Sequence, residues 1–170
     1  MALSPNSTEI KIRKAVVSDI QQVYRLLKGY GDKGMLLARP LSELYDHLRD
    51  FSILVDEKER EPIVGVCALG ICWDGLAEIR SLAVVESHQG KGYGAWLVRT
   101  CLREAADLGI GTVFALTYVE RFFLSLGFRK VEKSVLPHKI WGDCLRCSKY
   151  PDCDETAVLV DLPARVTTEE

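Results

Sequence analysis

The chain has 170 residues, of which 48% are hydrophobic, so it is long enough to bury a single core. Its formal net charge of −2 at pH 7 gives no reason to expect binding to nucleic acid. No apolar run approaches the length of a membrane span and residues 1–8 lack a hydrophobic signal region, so we expect a cytoplasmic protein with no membrane partner.

Hydrophobic patterns predict the elements of the first half of the chain. Residues 9–14 alternate between apolar and polar side chains, which indicates a first strand. Ser18 and Gln21 have the spacing of a capping box, and the helix that they begin is expected to end at Gly29. The other elements of this half are a second helix marked by Leu41, Leu44 and Leu48, and a hairpin with strands at 51–56 and 63–71.

The second half continues with a long strand over residues 76–85 and a glycine-rich turn. A helix with a clear apolar face follows and is expected to end at Gly109. The remaining predicted elements are a strand at 112–117, a short helix at 119–126, and strands at 128–133 and 157–162. Neither a repeat nor a second domain is indicated.

The turn after the long strand carries Gly90, Gly92 and Gly94 and opens directly into a helix. Glycine lets a backbone approach a ligand closely, and the unpaired N–H groups of a helix start favour phosphate. A Walker A loop is excluded by its spacing. A dinucleotide fingerprint is formally matched by Gly90, Gly92 and Ala95, but the acidic residue about 20 positions downstream is missing and the preceding strand is too polar.

The segment from Gln89 to Gly94 resembles the Gln/Arg-x-x-Gly-x-Gly/Ala signature of the GCN5-related N-acetyltransferase (GNAT) superfamily. Downstream, the segment from Phe122 to Phe128 resembles that family's Phe-Tyr-x-x-x-Gly-Phe element. The resemblance implies an α/β (α+β) fold, a mixed and mostly antiparallel sheet of about seven strands flanked by four helices. It would cover residues 9–162, with tails at 1–8 and 163–170.

The resemblance also implies that acetyl-CoA is the co-substrate. In that family the glycine loop holds the pyrophosphate, and the backbone of the central strand binds the acetyl carbonyl and pantetheine. The residues that these roles fall on are Leu82, Ala83, Val84, Gln89, Gly90, Lys91, Gly92, Tyr93, Gly94 and Ala95. Phe122, in the downstream element, is a further expected cofactor-binding residue.

Acetyl transfer to an amine needs a base for the amine and an acid for the departing thiolate. Glu78 matches the position of the catalytic glutamate in related histone acetyltransferases. The alternatives are a water chain as the base and, for Glu78 itself, a structural pair with Arg80 or exposure to solvent. The family's tyrosine acid is replaced by Phe123, so Tyr118 is the candidate substitute. His88, just before the glycine loop, is expected to be a surface residue.

For the acceptor, the chain resembles the short stand-alone N-acetylglutamate synthases, through the segments 35–45, 48–51, 78–84 and 114–117. This implies L-glutamate as the acceptor and a role in arginine biosynthesis. Guanidinium groups suit its two carboxylates, and Arg39, Arg80 and Lys139 are the candidate ligands. The alternatives are another amino acid or a protein N-terminus as acceptor, or a non-catalytic acyl-CoA-binding module.

Six cysteines are present. Cys67, Cys72 and Cys101 lie in apolar patterns and are expected to be core residues. Cys144, Cys147 and Cys153, together with His138, could bind zinc, but the third cysteine lacks a Cys-x-x-Cys mate. We therefore predict a metal-free, substrate-covering loop there. The expected partner is a small-molecule amine. The sequence leaves open whether the protein forms a homodimer.

Overall fold

The computed structural model describes residues 10–137 and 154–163. The observed order of elements matches the order predicted from the sequence. The strands are β1 (Lys11–Lys14), β2 (Phe51–Val55), β3 (Ile63–Trp73), β4 (Leu76–Val84), β5 (Thr112–Thr117), β6 (Arg129–Val131) and β7 (Thr156–Asp161), and the helices are α1 (Ile20–Asp32), α2 (Leu41–Asp46), α3 (Tyr93–Asp107) and α4 (Glu120–Ser125).

The strands follow the order β1-β2-β3-β4-β5-β7-β6 in one seven-stranded sheet. The pairs β1–β2, β5–β7 and β6–β7 are antiparallel, and β4–β5 is parallel. The predicted fold class, a mixed sheet with four α-helices in the described part of the chain, is confirmed. No helix in that part is long and apolar enough to cross a membrane.

The residues that the structure describes form two compact units. The first lies within Met1–Cys67 and Ser81–Leu97, and the second within Ala68–Arg80 and Val98–Glu170. In the first unit, helix α1 buries Ile20 and Val23, and strand β2 is buried along its whole length. An amphipathic helix and a fully buried, mostly apolar strand bury their apolar side chains against other elements, and these side chains form the core of this unit.

The second unit is built on the antiparallel ladder of β5, β7 and β6, which runs from Thr112 opposite Asp161 to Thr117 opposite Thr156. A core cluster of Phe114, Leu136, Ala157 and Leu159 packs here, with Cys72 and Leu76 against it. Cys67 and Cys101 are fully buried as expected, whereas Cys72 is only partly buried.

Helix α1 differs from the prediction at both ends. It continues through Gly29 to Asp32, and Gly31 lies so close to Ala38 that an added Cβ would be 3.2 Å from the Ala38 Cβ. Glycine therefore favours the close approach of the following loop, because a larger residue would require Ala38 to shift by a few tenths of an ångström. The Ser18 capping box is wrong: the Val16 N–H donates to Asp19 Oδ2 at 2.8 Å, in a 3-10 turn before the helix.

Asp19 also binds Arg13 through two bonds, from Nη1 to Oδ2 at 2.7 Å and from Nη2 to Oδ1 at 3.0 Å. The hydrogen bonds from Arg13 hold the pKa of Asp19 below its ordinary value of 3.8. A carboxyl group whose folded pKa is lowered stabilises the fold above its unfolded pKa and loses this contribution as pH falls through the folded pKa.

We expect Asp19→Asn to lower the melting temperature by about 2–4 °C at pH 7, since a charge-assisted pair contributes about 1 kcal/mol or more. Thermal melts at pH 7, 5 and 3 should show the difference from wild type shrinking below pH 4. Glu61→Gln, which breaks the exposed pair with Arg25, is the control and should have little effect. A difference that stays constant down to pH 3 would contradict the assignment.

Candidate functional site

The glycine loop joins β4 to α3 in the first unit. After a 3-10 turn at Glu86–His88, Gly90 and Gly92 have φ of +74° and +83°, a conformation that other residues adopt only with strain. A Cβ placed on either glycine would meet no protein atom within 4 Å. The glycines thus serve the backbone path and keep one side of the loop open to a ligand.

Helix α3 begins directly at the end of this loop. The Trp96 N–H donates to the Gly92 carbonyl oxygen at 3.0 Å, the first bond of the helix. The N–H groups of Tyr93, Gly94 and Ala95 precede this bond, in the turn where a helix has no carbonyl partners of its own. These donors and the positive end of the helix dipole suit a pyrophosphate group, so the predicted loop residues fit acetyl-CoA.

Gln89 is engaged inside the first unit. Its Nε2 donates to the Tyr30 hydroxyl and to the Val84 carbonyl oxygen, each at 2.9 Å, and the Tyr30 hydroxyl donates to the same carbonyl. The side chain therefore ties the loop to helix α1 and to the end of β4. The sequence does not reveal this contact of Tyr30, because nothing in the pattern of α1 marks a hydroxyl that bonds to a distant strand.

Strand β4 changes character near its middle. Its register with β5 covers three pairs and ends at Glu78 opposite Phe114, while β4 itself continues to Val84. Ser81 has a φ of +52°, the one positive value at a residue other than glycine among the described residues. This conformation costs about 1–2 kcal/mol and is typical of functional positions. The roles assigned to Leu82–Val84 stay predictions.

In the second unit, Arg80 Nε donates to Glu78 Oε2 at 2.9 Å, and the side chains are only 19% and 14% exposed. The structural pair considered from the sequence is therefore present. The Arg80 guanidinium lies on Gly70 of β3, where an added Cβ would be 2.6 Å from Arg80 Cζ. Gly70 is needed for this close approach, and the sequence pattern of β3 does not reveal it.

The candidate thiolate acid lies just after β5 in the second unit. Tyr118 is 40% exposed, and the turn around it is held by the Val119 N–H, which donates to Thr117 Oγ1 at 2.9 Å. Phe123 is a core residue, with its ring edge-on to Phe122 and Phe128 at 5.1 Å. A phenylalanine ring can supply no proton, so Tyr118 stays the predicted acid. The role of Phe122 as a cofactor contact also stays a prediction.

A cavity of about 230 Å³ opens in the first unit between α1 and the loop before α2. Arg39, whose side chain is 14% exposed, lines this cavity and is held by Glu43, 3.3 Å from Arg39 Nη1. The other lining residues are Tyr24, Leu27, Lys28, Asp32, Leu37, Ala38, Pro40, Leu44 and Ser81. Lys139, His138 and the cysteines at 144, 147 and 153 lie outside the described residues.

His88 is buried, with 5% of its surface exposed, so the expectation of a surface residue is wrong. Its Nε2 lies 3.0 Å from Asp56 Oδ2, and its Nδ1 lies 2.9 Å from Ser87 Oγ. The hydrogen bond from His88 is the main reason why the pKa of Asp56 lies below its ordinary value. Partners for both ring nitrogens offset the cost of burying the imidazole.

Comparisons with known proteins identify the family of this chain. The model of the acetyltransferase (GNAT) family matches residues 20–128. The chain is 37% identical to an uncharacterized N-acetyltransferase of Chlorobaculum tepidum, over 89% of this chain and 96% of the relative. It is 30% identical to an amino-acid acetyltransferase of Mycobacterium tuberculosis, over 86% and 83% of the two chains.

Among solved structures, N-acetylglutamate synthase from Neisseria gonorrhoeae, complexed with coenzyme A and N-acetyl-glutamate, matches with a TM-score of 0.81 and 26% identity. The match covers 93% of this chain and 36% of that one. The chain therefore belongs to the acetyltransferase (GNAT) family. It is an acetyl-CoA-dependent N-acetyltransferase, which decides against the non-catalytic module.

Proposed function

We propose that the protein transfers the acetyl group of acetyl-CoA to the α-amino group of L-glutamate, as an N-acetylglutamate synthase in arginine biosynthesis. The observation that carries this proposal is the charge pattern of the cavity in the first unit. Arg39 lines the cavity beside Glu43, and Lys28 and Asp32 line it as an exposed ion pair with Nζ 3.4 Å from Oδ2. Arg39 and Lys28 are the cationic side chains suited to the two carboxylates of glutamate, which would replace Glu43 and Asp32 as their partners.

The names of the relatives support the same substrate class. One is an amino-acid acetyltransferase, and the structure with a TM-score of 0.81 is an N-acetylglutamate synthase. The chain spans about a third of the latter, so its substrate is a proposal for this protein. Arg80 and Lys139 are proposed as further acceptor ligands on the family resemblance alone.

The chemistry requires a base for the ammonium group of the acceptor and an acid for the thiolate. We assign these roles to Glu78 and Tyr118. When bound, acetyl-CoA would supply the thioester, with its pyrophosphate held by the backbone of Gln89–Ala95. Positive φ angles at Gly90 and Gly92 shape this loop so that its N–H groups can meet phosphate oxygens.

The acceptor is tested by thiol release from acetyl-CoA with the purified full chain. L-Glutamate, L-glutamine, L-aspartate and a peptide with a free N-terminus are compared, and mass spectrometry identifies the product. We expect kcat/KM for glutamate to exceed that for glutamine by about 10- to 100-fold, because the amide loses a charge-assisted bond. Equal or better turnover of glutamine or the peptide would assign a different acceptor to this enzyme.

Arg39→Ala should raise the KM for glutamate by about 10- to 100-fold with a smaller effect on kcat, since a desolvated carboxylate loses its guanidinium partner. Arg25→Ala, at an exposed arginine, is the matched control and should leave both constants near wild type. Glu43→Gln weakens the ion pair of Arg39 but keeps its charge. Should Glu43→Gln raise the KM as much as Arg39→Ala, Arg39 acts through local structure and not as a ligand.

A further inference from the structure

Asp56 and His88 form a buried pair in the first unit, outside the glycine loop and the cavity. Their side chains are 11% and 7% exposed, and His88 Nε2 lies 3.0 Å from Asp56 Oδ2. Glu59 is the other acid nearby, with Oε1 4.0 Å from the same nitrogen and half of its side chain exposed. Two buried polar side chains that meet from distant parts of the chain call for a specific role.

The Asp56 end of the pair is fixed by the turn between β2 and β3. The Asp56 N–H donates to the Pro62 carbonyl oxygen at 2.8 Å, and Asp56 Oδ1 accepts from the Lys58 N–H at 3.1 Å. One carboxylate oxygen thus closes the turn, while the other faces His88. The carboxylate is a rigid support, because its position is set by backbone bonds.

The His88 end contacts both ends of the glycine loop. His88 immediately precedes Gln89, and its ring centroid lies 6.2 Å from that of Tyr93, the first residue of α3. The segment from Gln89 to Gly92, named the arch, therefore begins and ends next to the imidazole of His88. Gln89 gives this arch its second attachment, through Tyr30 and Val84.

We propose that the Asp56–His88 pair is a positioning device for the phosphate-binding loop. It fixes the arch in the open backbone conformation in which Gly90 and Gly92 have positive φ, so that little ordering remains to be done when acetyl-CoA binds. Asp56 and His88 are positioning residues that act through the loop and take no part in proton transfer.

Calorimetry of acetyl-CoA binding to the full chain tests this proposal and needs no acceptor, so its result does not depend on glutamate being the substrate. His88→Ala should raise the Kd for acetyl-CoA by about tenfold or more, since the loop loses a buried charge-assisted bond. His88→Gln should recover most of the affinity, because its amide nitrogen can still reach Asp56. At saturating acetyl-CoA, kcat and the acceptor KM of both variants should stay near wild type.

Two controls separate positioning from other roles. Asp19→Asn removes a pair of similar kind in the same unit; if it weakens acetyl-CoA binding as much as His88→Ala does, the pair contributes only stability, and the proposal fails. Glu59→Gln should leave the Kd unchanged. The side chains of Asp56, Glu59 and His88 could also hold a metal ion. One tightly bound zinc per chain, lost in both Glu59→Gln and His88→Ala along with acetyl-CoA affinity, would replace the proposal with a metal site.

Discussion

Replacing Glu78 by glutamine is expected to lower the turnover number by about 10²-fold or more and to leave the affinity for acetyl-CoA intact. The glutamine amide keeps the shape of the side chain, and its oxygen can still accept the hydrogen bond that Arg80 Nε donates to Glu78 Oε2 at 2.9 Å in the wild-type protein. It cannot take a proton from the amine. Steady-state rates between pH 6 and 9, with calorimetry of acetyl-CoA binding, check this expectation. Glu57→Gln, at an exposed turn residue, is the matched control.

A second variant tests the support of Glu78. Gly70→Ala places a Cβ too close to the Arg80 guanidinium, which must therefore move. It can move because it is the far end of a flexible side chain. We expect a lower rate with an intact fold, while Gly111→Ala, where a Cβ meets nothing within 4 Å, should behave as wild type. A near-normal rate in Glu78→Gln over the whole pH range would give the role of the base to water.

The second large effect is expected at the glycine loop. Gly92→Val should weaken acetyl-CoA binding by about tenfold or more without unfolding the protein. A β-branched residue at a φ of +83° strains the loop, and its side chain projects into the open space that the phosphates would occupy. Calorimetry of acetyl-CoA binding measures the loss.

Gly109→Val is the matched control for backbone strain. Gly109 follows α3 with a φ of +81°, and a Cβ there also meets no protein atom within 4 Å. Both variants should lose comparable stability in thermal melts, and only Gly92→Val should lose affinity. An unchanged affinity in Gly92→Val would mean that the pyrophosphate is not held by this loop.

The expectations for Gly29 and His88 failed for the same physical reason, which is contacts with distant parts of the chain. Gly29 was expected to end α1, since glycine weakens a helix by about 1 kcal/mol. The helix continues to Asp32, where the Tyr30 hydroxyl donates to the Val84 carbonyl oxygen and Gly31 packs against Ala38, and these tertiary contacts outweigh the local preference. His88 was expected on the surface because a lone histidine carries no pattern, and only its contact with Asp56 makes burial possible.

The candidate site also has one part that the sequence predicts and one part that depends on the tertiary structure. The glycine loop could be predicted because three glycines between a strand and a helix are a local sequence signal that reflects the backbone conformation. The surroundings of Glu78 could not be predicted from the sequence. Whether its partner would be Arg80 or solvent depends on Gly70, which lies on a different strand.

The sequence by itself determined the order of helices and strands and the position of the glycine loop before α3, since periodicity and turn chemistry act over a few residues. Only the tertiary structure decided the partners of the polar side chains. Tyr30 meets Val84 across 54 positions and His88 meets Asp56 across 32. A hydrogen bond between distant residues depends on how the elements pack, and a local pattern contains no information about that packing.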